Sequence, residues 1–408
     1  MGDHTLKLST DKSIDACYPA FSLMNTGLYI HIPFCVRKCL YCDFYSLETM
    51  RGPIADRLNA PQENRPEFMQ ALSLEFSLLP PDFRPTTIFI GGGTPTELSE
   101  HDLALLFKEI HQTIHVSDVQ EWTCECNPGT LTKRKAALLK ESGVTRVSLG
   151  AQSFDSANLE FLGRIHASGD IEVAVDLLRQ TGFNNLNLDL IYGIPGSSLE
   201  KTKRDVQRAL ALNPEHLSCY CLTFEENTPL MGLKQKGFVL EVEDDIELSE
   251  YRAIRALIRD AGYAQYELSN FAKPGYACRH NLLYWGDGPY LGCGPSAHSH
   301  WKGRRYANVR HLRKYVRALL DDHKPALDFE EALPPEAKAK ETLVMWLRRL
   351  EGVPRDAFQR ATGFDYADIG GDALKDLTAC GMLEENGNQL RLTEQGLFVS
   401  NSVFAELI

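Results

Sequence analysis

The 408-residue chain has no apolar run long enough to cross a membrane as a helix, which takes about 18 residues or more. Basic residues are also in short supply. Lys and Arg number 43 against 55 Asp and Glu, a net charge of −12, which argues against a nucleic-acid surface as the main business of the protein. The first 27 residues lack a long apolar block and carry Asp3, Asp11 and Asp15, which suits neither a secretory signal nor an acid-poor transit peptide. No disulfide framework is evident either. Eleven cysteines in so long a chain, three of them clustered, fit a reducing compartment and a metal site, so a cytoplasmic location is expected. What is present is an ordinary apolar content of 43 %, enough for a large domain plus one or two smaller ones.

The three clustered cysteines organise the reading. Cys35, Cys39 and Cys42 sit at C-x3-C-x2-C spacing in YIHIPFCVRKCLYCDFYS, residues 29–46. The alternation Leu28-Tyr29-Ile30-His31-Ile32 predicts a strand, and Pro33 ends it because proline cannot donate to a ladder. The cysteines therefore lie on a loop leaving the C-terminal end of a strand. Three thiolates are one short of a closed tetrahedral zinc site or a fully ligated iron–sulfur cubane. Such a set either leaves one iron open to a small molecule, or borrows a distant fourth ligand, or is merely three buried thiols.

The spacing, the preceding strand and Tyr41 before the last cysteine resemble the cluster loop of the radical S-adenosylmethionine (SAM) superfamily. The string Tyr29-Ile30-His31-Ile32-Pro33-Phe34-Cys35 is similar to the subgroup of oxygen-independent coproporphyrinogen III dehydrogenase and the HemW-type haem chaperones. The resemblance implies a [4Fe–4S] cluster on Cys35, Cys39 and Cys42 with SAM on its open iron, and it runs on to the C-terminus. It also implies an α/β fold: a partial (β/α)6 radical-SAM barrel with a C-terminal winged-helix-like α+β domain.

Strand and helix patterns alternate accordingly. A helix is expected over 67–79, then a buried strand Thr87-Ile88-Phe89-Ile90 running into Gly91-Gly92-Gly93-Thr94-Pro95, where missing side chains let backbone approach a ligand and offer its hydrogen bonds. Gly92, Gly93 and Thr94 match the superfamily's loop for the SAM amino group. Strand 121–126 puts Trp122, Cys124 and Cys126 on one face and Glu125 on the other; the two cysteines read as small core residues. Strand 146–150 delivers Gln152, and Leu162-Gly163-Arg164-Ile165-His166 follows. Strand 185–191 carries Asn185, Asn187 and Asp189 on one face, a polar stripe suited to a ligand cavity. The sixth strand is expected over 216–224. By resemblance, Tyr29, Tyr41, Glu125, Gln152, Arg164 and Asp189 also join the SAM-binding set. The bland readings are a salt-bridged carboxylate for Glu125 and a surface charge for Arg164. Six units, each with its candidate residue near a strand's C-terminal end, follow barrel logic.

Further on comes His280-Asn281-Leu282-Leu283-Tyr284-Trp285. H-N-x-x-Y-W is the string associated with haem in the HemW-type proteins. A histidine can be an axial iron ligand, and Tyr284 and Trp285 offer flat apolar surface with polar tips. A bare histidine beside aromatics also reads as a satisfied core residue, and Cys278, Cys293 and His298 compete as ligands. Pro334-Pro335 marks a boundary. Beyond it, helices over 336–350, 354–363 and 372–380, a hairpin about Asn386-Gly387 and a closing helix over 395–407 look like a winged helix. Without a dense basic run it reads as a lid or docking module. Four segments result: a lead-in 1–27, the barrel 28–225, an extension 226–333 and the domain 334–408.

Two functions remain on this reading. The first is a chaperone that binds haem and hands it to acceptor haem proteins such as cytochromes or respiratory-enzyme subunits, with room for membrane-surface contact and a homodimer. The second is radical oxidative decarboxylation of coproporphyrinogen III. The dehydrogenases extend the motif to C-x3-C-x2-C-x-C, and here the last position is Phe44. That departure and the H-N-x-x-Y-W string favour the chaperone. A third reading, a winged-helix iron–sulfur sensor, is disfavoured by charge.

Overall fold

The computed structural model describes residues 25–49 and 65–408. The loose lead-in over 1–24 and most of the irregular connection over 51–66 lie outside the described residues. Two compact units divide the rest, Asn25–Glu331 and Ala332–Ile408.

The larger unit is built on six parallel strands: β1 (Gly27–Ile32), β2 (Thr87–Gly92), β3 (Glu121–Cys126), β4 (Arg146–Gln152), β5 (Leu186–Tyr192) and β6 (His216–Cys221). They lie side by side in chain order, and helices connect them. This is the partial (β/α)6 barrel that the alternating pattern implies. Period-two patterning explains the layering. In β1, Leu28, Ile30 and Ile32 are fully buried among the outer helices, which puts Tyr29 and His31 on the inner face. In β3, Trp122, Cys124 and Cys126 are buried in the outer core, leaving Glu125 inward.

The segment after β6 enlarges the same sheet at both edges. β7 (Asn270–Ala272) pairs antiparallel with β6. At the opposite edge, β8 (Tyr290–Cys293) lies parallel to β1, with Ile30 opposite Cys293. β9 (His298–Trp301), β10 (Arg304–Asn308) and β11 (Leu327–Glu331) then continue antiparallel outward. Between β10 and β11 a helix runs Leu312–Leu320. The predicted sixth strand is shorter than expected, ending at Cys221. Short helices at Ser156–Leu162 and Pro229–Gln235 were not anticipated.

The smaller unit has helices Pro335–Leu347, Arg355–Thr362 and Tyr366–Ala379, the last broken at Gly371. Its hairpin pairs Leu383–Asn386 with Gln389–Leu392, and Gly387 takes the positive φ of 67° that an Asn-Gly turn requires. Val353–Pro354 adds a third strand. The single closing helix expected over 395–407 is two, Glu394–Phe398 and Ser400–Leu407, separated at Val399.

Candidate functional site

The cysteine loop leaves β1 at the C-terminal ends of the barrel strands and is stitched to its neighbours along its length. Gly93 N–H donates to the Ile32 carbonyl (2.8 Å), and Thr94 N–H to the Phe34 carbonyl (2.7 Å). Leu47 N–H reaches Pro33 O, and Thr49 N–H reaches Cys35 O. Leu40 donates to Leu162 O and accepts from Leu230 N–H. Tyr41 packs with Leu162, Ile191, Ile194, Leu222 and Leu230, in a small core separate from the main one.

Arg164 joins the loop to the barrel. One guanidinium nitrogen donates to Cys39 Sγ (3.3 Å) and the other to the Gly150 carbonyl (2.7 Å). Gln152 sits beside it with φ of 65°, a left-handed conformation uncommon for a residue with a Cβ. A Cβ on Gly150 would fall 2.9 Å from the Gln152 amide nitrogen and 3.2 Å from Arg164. Glycine at 150 is thus what lets both side chains fold over the strand end.

Cys35, Cys39 and Cys42 are all half-buried free thiols. Cys35 Sγ lies 3.6 Å from Thr94 Oγ1. Burial raises the Cys35 thiol, and burial together with Cys39 pushes Cys42 up to about 12. Thiolates here call for cationic compensation, and Arg164, held charged among them, provides one fixed charge. Among the described residues, no three His, Cys, Asp or Glu side chains converge on a point that would hold one metal ion. The donor set instead suits a cubane, whose thiolates bind separate irons and stand further apart.

Below the loop the inner face is acidic. Glu125 accepts from Gly92 N–H (3.2 Å), and burial with the nearby Asp189 raises it to about 8. Asp189 is also raised by burial, and accepts from Asn187 Nδ2 (2.7 Å) and Ser148 Oγ (3.2 Å). The glycine loop differs from expectation. The backbone N–H groups of Gly92, Gly93 and Thr94 are all bonded within the protein, so the loop's polarity toward a ligand comes from its carbonyls and the Thr94 hydroxyl. Carbonyl oxygens suit an ammonium group. Two buried carboxylates close together likewise suit a cationic ligand. Tyr29 stands inside the barrel, its hydroxyl 3.0 Å from His31 Nδ1, while His31 Nε2 meets Tyr45 O at 2.7 Å.

The H-N-x-x-Y-W string lies elsewhere. It forms the helix Arg279–Trp285, packed at the N-terminal ends of the strands. His280 is fully buried against the starts of β1 and β2, where a Cβ on Gly27 would fall 3.0 Å from its ring. Its Nδ1 bonds Thr87 Oγ1 (2.8 Å) and its Nε2 bonds Tyr284 OH (2.8 Å). The Glu121 carboxylate accepts from the backbone N–H groups of Arg279 and His280. At about 3.3 Å per residue, β1 separates this helix from the cysteine loop by about 17 Å. Both ring nitrogens of His280 are thus engaged within the protein in this structure, and burial lowers the imidazole to about 3. Asn281, Tyr284 and Trp285 stay with it, half-buried, at that lower mouth. Of the competing ligands, Cys278 and Cys293 are buried and His298 is exposed. Glu121 and Thr87, which hold the helix, were missed; each is the first residue of its strand, where inward and outward patterning is least informative.

A parallel-strand barrel with a three-cysteine loop after its first strand defines a radical SAM protein, and the model of the Radical SAM superfamily matches residues 29–209. The HemN C-terminal domain matches 333–399. The chain is 35 % identical to the heme chaperone HemW of Bacillus subtilis over 93 % of its own length and 98 % of that protein's. It is 36 % identical to HemW of Escherichia coli, over 92 % and 96 %. It belongs to the HemW family of heme chaperones. The coproporphyrinogen III oxidase HemN of Escherichia coli shares the fold, with a TM-score of 0.80 at 22 % identity over 97 % of this chain and 92 % of that one.

Proposed function

We propose that this protein binds haem and transfers it to acceptor haem proteins, cytochromes or respiratory-enzyme subunits among them. In this reading Cys35, Cys39 and Cys42 hold a [4Fe–4S] cluster and SAM binds beside it. The observation that carries the cofactor part is the clamped loop: three half-buried thiols, one of them bonded to Arg164, above the carboxylate pair Glu125 and Asp189. The cluster, when bound, would supply one-electron chemistry to SAM at the iron without a cysteine. The chain's own residues orient and neutralise. Arg164 offsets thiolate charge. Glu125 and Asp189 would compensate the positive charge of SAM, and Gln152, Tyr41 and Tyr29 would help to hold it. The cluster and SAM would set the conformation or dimeric state competent for haem. Membrane-surface contact at the point of delivery belongs to the same proposal, as does a cytoplasmic location. Among the described residues no helix is long and apolar enough to cross a membrane.

Phe44, 66 % exposed, occupies the position of the fourth cysteine in the dehydrogenase motif, which supports transfer over porphyrinogen decarboxylation. The test is anaerobic reconstitution of wild type and Cys39→Ser, followed by incubation of haem-loaded protein with an apo-haem protein. Wild type is expected to show 4Fe–4S absorbance and Mössbauer signals that the variant lacks, and to pass haem to the acceptor. An unchanged cluster signal in Cys39→Ser would remove these cysteines from the site, and haem retained by the donor would remove the transfer.

A further inference from the structure

A continuous line of hydrogen bonds crosses the barrel from the Asp189 carboxylate to the Arg279–Trp285 helix. Asn187 Nδ2 donates to Asp189 (2.7 Å). Asn187 Oδ1 meets His216 Nδ1 at 2.5 Å, and His216 Nε2 meets the Tyr266 hydroxyl at 2.9 Å. That hydroxyl accepts from the backbone N–H of Cys278 (3.3 Å), the residue just before the helix. Strand register sets the line up, because Asn187 on β5 lies opposite His216 on β6. Both side chains are buried.

The line has one polarity. The Asn187 amide is oriented by its neighbours: its nitrogen faces the Asp189 carboxylate, and its oxygen accepts from Ser218 Oγ (3.1 Å). Nδ1 of His216 must then carry the ring proton, and burial keeps the imidazole neutral. Nε2 is left to accept from Tyr266, whose oxygen accepts from Cys278. Every donor therefore points towards Asp189. In such a chain each bond polarises the next, so its strength at the helix depends on the charge at Asp189.

Beside the line stands Arg146, the first residue of β4. It is a buried guanidinium whose Nε has no hydrogen-bond partner among the described residues. Its charge acts both on Asp189 and on Glu121. Glu121 is the carboxylate that accepts from the Arg279 and His280 N–H groups and from the Cys278 thiol. A cation held at Asp189 therefore has two effects of the same sign. It weakens the line that ends on Cys278. It also drives Arg146 towards Glu121, where the guanidinium competes with the helix's N–H donors. Both effects loosen the end of the helix that carries His280, whose ring is otherwise held by Thr87 and Tyr284.

We propose that Asn187, His216 and Tyr266 are positioning residues that couple the SAM site to the H-N-x-x-Y-W helix, so that SAM at Asp189 loosens the helix and frees His280 for haem iron. This rests on the haem and SAM readings above. The test uses full-length protein with a reconstituted, oxidised cluster and no reductant, so that SAM is bound and not cleaved. Two quantities are read with and without SAM: amide hydrogen exchange across residues 278–285, and affinity for ferric haem from its Soret band. With SAM, wild type is expected to exchange faster in this segment and to bind haem about fivefold or more tighter, and haem is expected to tighten SAM by the same factor. Tyr266→Phe deletes the last link of the line. It is expected to take up SAM, to exchange fast in this segment without it, and to lose both responses. Thr87→Val frees His280 from outside the line, so haem should bind more tightly without SAM while the exchange response to SAM remains. If Tyr266 were merely structural, the phenylalanine variant would be less stable and would answer SAM like wild type; that result overturns the proposal. So does a wild type that binds SAM and haem with exchange and affinity unchanged by SAM. A wild type whose helix answers SAM but which takes up no haem keeps the coupling and removes the haem reading. A wild type that binds no SAM removes the cofactor reading, and the coupling with it.

Discussion

Arg164 holds two parts of the site at once, Cys39 Sγ and the Gly150 carbonyl. Its removal leaves buried thiolates without a fixed positive neighbour. Arg164→Ala is expected to cut iron and sulfide incorporation several-fold on reconstitution, whereas Arg164→Lys, which keeps charge but loses the fork, should lie between. Glu125 gives a pH signature. Its folded value, about 8, lies above the ordinary 4.5, so the folded state keeps a proton that the unfolded chain has already lost. Its contribution to stability is fully present below pH 4.5 and is lost as pH rises through about 8. Glu125→Gln is therefore expected to stabilise the cofactor-free protein relative to wild type above pH 8, by on the order of 1 kcal/mol, and to have little effect at pH 5. Urea midpoints at the two pH values would check this. At this scale much was legible: the cysteines, Arg164, Gln152, Glu125 and Asp189 do gather at one end of the barrel. Hydrogen-bond satisfaction was not legible. Nothing in the string H-N-x-x-Y-W says that Thr87, 193 positions away, will occupy a ring nitrogen of His280.

Among elements, the glycine loop and the cysteine loop interlock closely. A Cβ on Gly93 would meet the backbone carbonyls of Phe34 and Ile32 at 2.6 and 2.9 Å, with no flexible side chain to move aside. Gly93→Ala should destabilise by about 2 kcal/mol or more and scramble the register of Thr94 against Cys35, read as a lower melting temperature and a broadened cluster signal. The Arg279–Trp285 helix is a second such element. His280→Ala removes two buried hydrogen bonds and leaves Thr87 and Tyr284 unpaired, for an expected cost of about 2–4 kcal/mol in chemical denaturation. The barrel strands were readable because each is a run of six or seven residues with clear inward and outward faces. The edge strands after residue 290 were not. They run only four or five residues and include His298, Arg304 and Arg305, whose polarity reads as loop until pairing with β8 is known. The break at Val399 has no glycine or proline to announce it.

The larger unit is a barrel with two mouths that carry different chemistry. Thiols, carboxylates and a guanidinium gather at the C-terminal ends of the strands, and an aromatic helix stops the other end. The sequence pattern foretold the six-strand repeat, since hydrophobic periodicity alone identifies βα units. It did not foretell which end the H-N-x-x-Y-W helix would close, because that depends on β8 returning beside β1, a pairing across more than 260 positions. The central claim, haem transfer without porphyrinogen decarboxylation, is tested most directly by splitting one anaerobically reconstituted sample. One half is titrated with haem. The other receives coproporphyrinogen III, SAM and a reductant, and is assayed for protoporphyrinogen IX and 5′-deoxyadenosine. Stoichiometric haem binding with no porphyrinogen product is the predicted result. Product formed over repeated turnovers would contradict it, and would mean that Phe44 in place of a fourth cysteine does not disable the decarboxylation.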